Sequence, residues 1–490
     1  MTSKHPILQT LRTSSGPATT SGVSDRWIDA FADDASLRRA LSLAESSWNA
    51  LSEAERTLVE APESEAAAKL QQGYANFYSP ESISPFVALA AAGPWVITAY
   101  GAVLYETGGY GMLGGGHNPQ HVEPHLGSPQ VMANVMTPGF AQRRFIDALS
   151  SECAYGRGSN PFERFACLNS GSEGMALALR LCDMNAFGLT APGGRYEGRT
   201  AWTVSMKGSF HGRTDQPARI SDSTRASYAS KLASYRERTN RKVVPLNDVE
   251  ALLAVFAEAE RSGAFIQAVA IEPVQGEGNP GMAVTREYYD AARKATADAD
   301  AFLIVDAIQA GLRTYGCLSH MSSPEFADAA VPDIEVWSKA LNAGQYPLSV
   351  LGMGPRASAV FSPGVYGNTM TTNPRALDVA TAVLEGVDED LRRNIRDRGN
   401  ELVEKLGALG TQLPGVFGKA QGTGLLASVE VDPSIPVVAD GGLERKCREQ
   451  GLNVIHGGPN SLRFTPHFGV TSQEIDLIIE IVRDVAKTFV

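Results

Sequence analysis

Cysteine is scarce in this chain. Its 490 residues carry five, Cys153, Cys167, Cys182, Cys317 and Cys447. They are widely spaced, odd in number and form no C-x-x-C pair. That excludes a disulfide-framed scaffold and the usual zinc spacings, and predicts buried thiols in a reducing compartment. Long apolar runs are missing as well: none approaches the ~18 residues of a membrane span. Positive charge is in deficit, with 43 Lys and Arg against 54 Asp and Glu, a net of −11. This argues against nucleic acid or an anionic membrane as partner. There is no internal repeat, and no low-complexity tract beyond the Ser/Thr-rich first two dozen residues. What is present is ordinary: 43% apolar and 20% charged residues, in a chain long enough for two or three domains with substantial cores. The expectation is a cytoplasmic globular protein.

The chain divides by pattern. Residues 1–24, with Lys4 and Arg12 ahead of the first acid, Asp25, read as a disordered tail rather than a transit peptide, because no amphipathic Arg-rich pattern runs through them. Residues 25–85 read as a helical extension. Leu37, Leu41, Ala44, Trp48 and Leu51 make one apolar helix face, Ser52 and Glu55 form a capping-box pattern, and Pro62 interrupts the run. Residues 86–150 form an N-terminal segment expected to contribute to a small domain and to active-site loops. Within it, six glycines between Tyr105 and His117 predict a loop where backbone approaches something closely. It is not a dinucleotide fingerprint, since no clean strand is seen to lead into it. Residues 151–375 alternate strand and helix. Phe165-Leu168, Trp202-Ser205, Ala268-Ile271 and Phe302-Val305 are the buried strands of a mostly parallel sheet flanked by helices. Residues 376–490, with strands Leu425-Val431 and Leu462-Thr465 and a helix from Gln473, read as a smaller α+β domain. The fold class is α/β.

Chemistry gathers at the carboxyl ends of those strands, where such sheets bind ligands. Asn169-Ser170-Gly171-Ser172-Glu173 joins a strand to a helix start, which is either an anion site or an ordinary N-cap. Phe210-His211-Gly212 places an aromatic that either stacks on a planar ring or belongs to the core. Asp306 closes an apolar strand, where a carboxylate needs a partner; a pyridinium would serve, as would a helix cap. Gln309, three residues on, could bond a phenolic oxygen. Lys339, after the apolar Ile334–Trp337 run, has neighbours that push its pKa below the usual ~10.4 and favour attack on a carbonyl. Glu277 and Arg463 could form a switch in which the arginine fork takes either the glutamate or a substrate carboxylate, or else a structural salt bridge. Together, the four segments around Gly171, Phe210, Asp306 and Lys339 supply a phosphate cradle, a ring plate, an anion and an amine, the set that pyridoxal 5′-phosphate (PLP) requires.

In combination these motifs resemble the class III (ornithine/acetylornithine-type) PLP-dependent aminotransferases of fold type I, from about Gly101 to the C-terminus. The resemblance implies roles by position. Lys339 is the Schiff-base lysine and proton shuttle, and Asp306 pairs with the pyridine nitrogen. Gln309 contacts the phenolic oxygen, Phe210 stacks on the ring, His211 beside it is a further cofactor-binding residue, and Gly171 and Ser172 hold the phosphate. Thr369, in Gly367-Asn368-Thr369, reaches the phosphate of a neighbouring subunit, which implies a homodimer with active sites at its interface. Arg463 binds the α-carboxylate of glutamate or 2-oxoglutarate with Glu277 as its gate. No metal is implied. Four places depart from the family pattern: Ala307, Leu341-Asn342-Ala343-Gly344-Gln345, Thr371-Thr372, and Gly174-Met175-Ala176. None removes a group that touches the cofactor, and they suggest a substrate other than ornithine or acetylornithine.

The implied activity is ping-pong transamination between an amine or amino acid, ω-amino compounds included, and a keto acid. The rivals are decarboxylation, amino migration or epimerisation on the same fold, and a catalytically silent PLP-binding homologue. Gly276-Glu277 speaks against the decarboxylase and aminomutase branches, and intact Lys339 and Asp306 speak against the silent form.

Overall fold

A computed structural model describes residues 5–236 and 240–490. In chain order its strands are β1 (Ala88–Ala92), β2 (Trp95–Thr98), β3 (Val103–Glu106), β4 (Arg164–Leu168), β5 (Thr200–Met206), β6 (Arg241–Val244), β7 (Ala264–Ile271) and β8 (Phe302–Asp306). They continue with β9 (Ile334–Trp337), β10 (Ser349–Met353), β11 (Phe417–Thr423), β12 (Leu426–Val431), β13 (Leu452–Asn453), β14 (Ile455–Gly457) and β15 (Ser461–Phe464). Two compact units result. Residues 121–396 form a sheet unit; residues up to 120 and from 397 onward form a composite unit.

The sheet unit is built on seven strands in the order β4-β10-β9-β8-β7-β5-β6. All pairings are parallel except those of β10, which runs against β4 and β9. β8 and β9 are buried along their whole length. They therefore read as continuous apolar runs rather than as alternations. The four strands expected from sequence are present, each one to four residues longer than its apolar stretch. Helix Gly171–Thr190 lays Met175, Leu177, Ala178, Leu181 and Cys182 into the core with Ala268, Phe302, Ile304 and Val336. Helix Phe140–Ala154 packs on helix Pro374–Glu385. That pairing draws both flanks into the sheet unit, so the divisions fall at 120 and 396 rather than at 150 and 375.

The composite unit holds two four-stranded sheets, β1-β2-β3-β13 and β11-β12-β15-β14. The extension belongs to it. Helix Ala35–Ala50 buries Leu37, Leu41, Ala44 and Trp48 and packs on β1, and Ser52 with Glu55 closes a complete capping box. The expectation of a disordered tail over 1–24 needs correction: residues 1–4 lie outside the described residues, but Pro6–Ser14 is helical with Leu8 and Leu11 fully buried. Beyond it, Val23 N donates to Val103 O at 2.8 Å and Ser21 N to Glu449 O at 2.8 Å. Serine and threonine content masked an apolar pair three residues apart, with Pro6 at the first turn, where its missing N–H costs nothing. Of the reading of the glycine loop, only the missing strand is corrected, since β3 leads straight into it. Its close approaches are real: a Cβ on Gly114 would lie 2.5 Å from the Phe468 ring.

Candidate active site

Turns after five strands line one cavity of about 150 Å³. Gly171 and Ser172 enter from the helix after β4, Phe210 and His211 from the turn after β5, and Glu272 from the end of β7. Asp306 and Gln309 come from β8 and its turn, and Lys339 from the residues after β9. Seven of the ten residues singled out in the sequence thus meet in one place.

The segment expected to cradle an anion is the start of a 20-residue helix. Its N-cap Ser170 accepts from Glu173 N at 3.3 Å, and the first-turn N–H groups and helix dipole face the cavity end. Ser172 Oγ accepts from Arg213 N at 3.2 Å. Gly212 has φ +120°, and a Cβ there would sit 2.5 Å from Ser172 Oγ; glycine lets the two turns touch.

Asp306 is buried and held from two sides. His211 Nδ1 lies 2.8 Å from its Oδ2, and Ile308 N donates to its Oδ1 at 3.2 Å. Lys339 adopts φ +48°, a left-handed conformation that costs a non-glycine residue roughly 1–3 kcal/mol and is typical of functional positions. Its Nζ donates to Gln309 Oε1 at 2.7 Å. Among the described residues, Gln309 Nε2 and His211 Nε2 are buried without a hydrogen-bond partner. Two such orphaned atoms beside one cavity call for a ligand that completes them. A carboxylate, a primary amine, an aromatic ring and a helix N-terminus surround the same space, so the donor set fits PLP.

Three predicted residues lie outside this lining. Thr369 is exposed, and its carbonyl accepts from Asn134 Nδ2 at 3.3 Å. Its neighbour Asn368 joins Asn169 (3.0 Å) to Glu173 (3.1 Å) at the cradle. Glu277 is half-buried in the turn after β7. Arg463 belongs to the composite unit, in β15; it is 1% exposed, with its guanidinium 5.7 Å from the Tyr110 ring centre. Tyr110 stacks on Tyr78 at 5.5 Å. Of the departures from the family pattern, Ala307 is buried with its N–H on Val336 O at 2.9 Å, and Thr372 takes φ +60°.

Glu272 is a cavity residue to which the sequence reading gave no role. It is buried, and burial is the first cause that pushes its pKa up to about 7. Its signal was the one used for Asp306, a carboxylate at the end of an apolar strand.

A family model described as aminotransferase class-III matches residues 83–486. Acetylornithine aminotransferase of Thermosynechococcus vestitus is 31% identical over 284 residues, which is 56% of this chain and 64% of that protein. The match thus spans just under two thirds of that relative's length. Ornithine aminotransferase 2 of Staphylococcus aureus is 30% identical over 65% of this chain and 74% of its own. Among solved structures, ornithine aminotransferase of Toxoplasma gondii superposes with a TM-score of 0.72 at 22% identity, covering 91% of this chain and 98% of that one. Acetylornithine aminotransferase of Elizabethkingia anophelis gives 0.69 at 21%, covering 88% and 100%. At these identities the structures speak for the fold, which is that of the fold type I aminotransferases.

Proposed function

Because the chain belongs to the class III aminotransferase family, we propose that it transfers an amino group between an amine or amino acid and a keto acid. Glutamate and 2-oxoglutarate serve one half of the cycle. An ω-amine or an unusual amino acid, other than ornithine or acetylornithine, serves the other, on the strength of the four departures from the family pattern. The observation that carries the reading is the convergence of Lys339, Gln309, Asp306, His211 and Phe210 with the Gly171-Ser172 cradle on one cavity.

PLP, when bound, supplies the electron sink that stabilises charge on the substrate carbon. The chain's own groups do the rest. Lys339 Nζ, oriented by Gln309 Oε1 at 2.7 Å, is the amine that takes the proton from the donor carbon and hands it on, and in the second half delivers a proton to the keto acid's carbon. Asp306, held by His211 at 2.8 Å, is the carboxyl group that would face the ring nitrogen. Phe210 would face the ring, and the helix start at Gly171 and Ser172 would hold the phosphate.

Arg463 is assigned the substrate α-carboxylate, with Glu277 as the acid that takes its place when that carboxylate is absent. Thr369 is assigned to the phosphate of a second copy, in a homodimer. Met370 next to it, and Val135 and Met136 in the segment whose Asn134 bonds it, are 70%, 65% and 83% exposed, apolar surface of the kind that two-fold partners cover. A cytoplasmic location is supported by five free cysteines, four of them buried. Among the described residues no helix is long and apolar enough to cross a membrane.

The deciding experiment is the absorbance of the PLP-loaded protein before and after L-glutamate. Conversion of the visible band to the amine form of the cofactor supports the reading. A band that ignores glutamate refutes the glutamate half-reaction.

A further inference from the structure

Glu272 follows β7 directly and has only 4% of its surface exposed. Its carboxylate accepts two backbone N–H groups that belong to different turns. Phe210 N donates to Oε2 at 2.8 Å, in the turn after β5. Gly276 N donates to Oε1 at 3.1 Å, in the turn after β7. Gly276 in turn lies against Gln309: a Cβ on Gly276 would come within 2.5 Å of Gln309 Oε1. That same Oε1 receives the hydrogen bond from Lys339 Nζ. The charged groups that face Glu272 are His211 and Asp306; the first favours its ionised form and the second opposes it.

A carboxylate is an expensive way to tie two turns together in a dry interior, where two N–H groups could be met by a carbonyl or a hydroxyl. Its advantage is reach in two directions with a charge-assisted bond on each. One arm fixes the backbone of the aromatic plate. The other fixes the turn that limits where Gln309, and through it the amine of Lys339, can stand. We propose that Glu272 is a positioning residue for the reaction proposed above: it sets the Phe210 plate and the Gly276–Gln309–Lys339 line relative to each other, so that the cofactor is gripped on its ring face and at its reactive end by one shared anchor. This role rests on the PLP reading of the cavity.

The test titrates cofactor-free protein with PLP. It reads both the dissociation constant and the circular dichroism that the bound cofactor acquires from its asymmetric surroundings. E272Q keeps size and shape, but its amide accepts one N–H and turns its own NH₂ on the other. The expected result is a dissociation constant raised about tenfold, the loss of one charge-assisted bond, together with a weaker dichroic signal per bound cofactor. F210A removes the plate. The double variant F210A/E272Q should then lose clearly less than the product of the two single losses, because part of the Glu272 effect runs through Phe210.

The thermal midpoint of each cofactor-free variant is recorded alongside. A change in folding stability alone moves that midpoint and not the dichroism per bound cofactor. If E272Q matches wild type in both cofactor readouts, or if the two losses multiply fully, the positioning role is wrong. Should E272Q not fold, E272D, which keeps the charge and withdraws it by one methylene, is read against the same two outcomes. A wild-type protein that binds no PLP would sink the cofactor reading itself, an outcome distinct from a variant that binds as wild type does.

Discussion

Two buried glutamates solve the same problem in different regions. Glu63, in the extension, is fully buried and accepts Thr19 N and Thr20 N at 2.9 Å and Val87 N at 3.3 Å. Glu272, at the cavity, accepts Phe210 N and Gly276 N. Each carboxylate ties together backbone from separate segments, and burial raises the pKa of each. They differ in what else is near. Glu63 has backbone donors around it and lies in residues ahead of the family match, which begins at 83; Glu272 stands in the field of His211 and Asp306. The first is a clasp for the fold. The second is a clasp placed where its charge and its reach bear on chemistry.

Four experiments test that contrast, beginning with the largest effect. Lys339→Ala should lower transamination by about 10³-fold or more and leave the thermal midpoint near wild type; retained turnover would move the chemistry away from this cavity. Glu63→Ala should cost about 4 kcal/mol, because three backbone N–H groups lose their acceptor, read as a shift of the urea midpoint. Its affinity for PLP should stay unchanged, and a fall in that affinity would erase the distinction between the two glutamates.

The third concerns pH. The fold raises the Glu272 pKa from 4.5 to about 7, so the folded state holds this proton more tightly than the unfolded state. Stability from this group is fully present below about pH 4.5 and is lost as pH rises through about 7, to a total of about 3 kcal/mol. Stability curves of wild type and E272Q should diverge across that window, and parallel curves would show that Glu272 does not titrate there. The smallest effect is expected at Thr372, a β-branched residue at φ +60°. Thr372→Gly should raise stability by about 1 kcal/mol, measured as a denaturant midpoint, while Glu63 and Glu272 behave as before.

Much of the cavity was legible because its residues break local rules. A carboxylate ending the run Phe302-Leu303-Ile304-Val305, or a lysine following Ile334–Trp337, is out of place unless something pairs it. Glu272 broke the same rule and could have been found by it. Glu63 could not. Its partners are backbone N–H groups of Thr19, Thr20 and Val87, at least 24 residues away, and a backbone donor leaves no mark in a sequence. The helix Pro6–Ser14 was hidden for another reason, because two buried leucines among polar neighbours give a periodic signal too short to read. The strands of the sheet unit were legible as apolar runs. The unit boundaries were not, because they depend on which helices pack together.

The composite unit carries a consequence in time. Its strand β3 is completed by β13, which pairs Tyr105 with Leu452 and Glu106 with Asn453, and Asn453 also bonds Glu106 across 347 residues of chain. During synthesis at roughly 5–20 residues per second, that edge of the sheet waits roughly 20 to 70 seconds for its neighbour. The whole sheet unit emerges from the ribosome in the interval. An open strand edge invites wrong pairings, so the nascent chain is exposed to misassembly at β3, and the last hundred residues decide when that exposure ends.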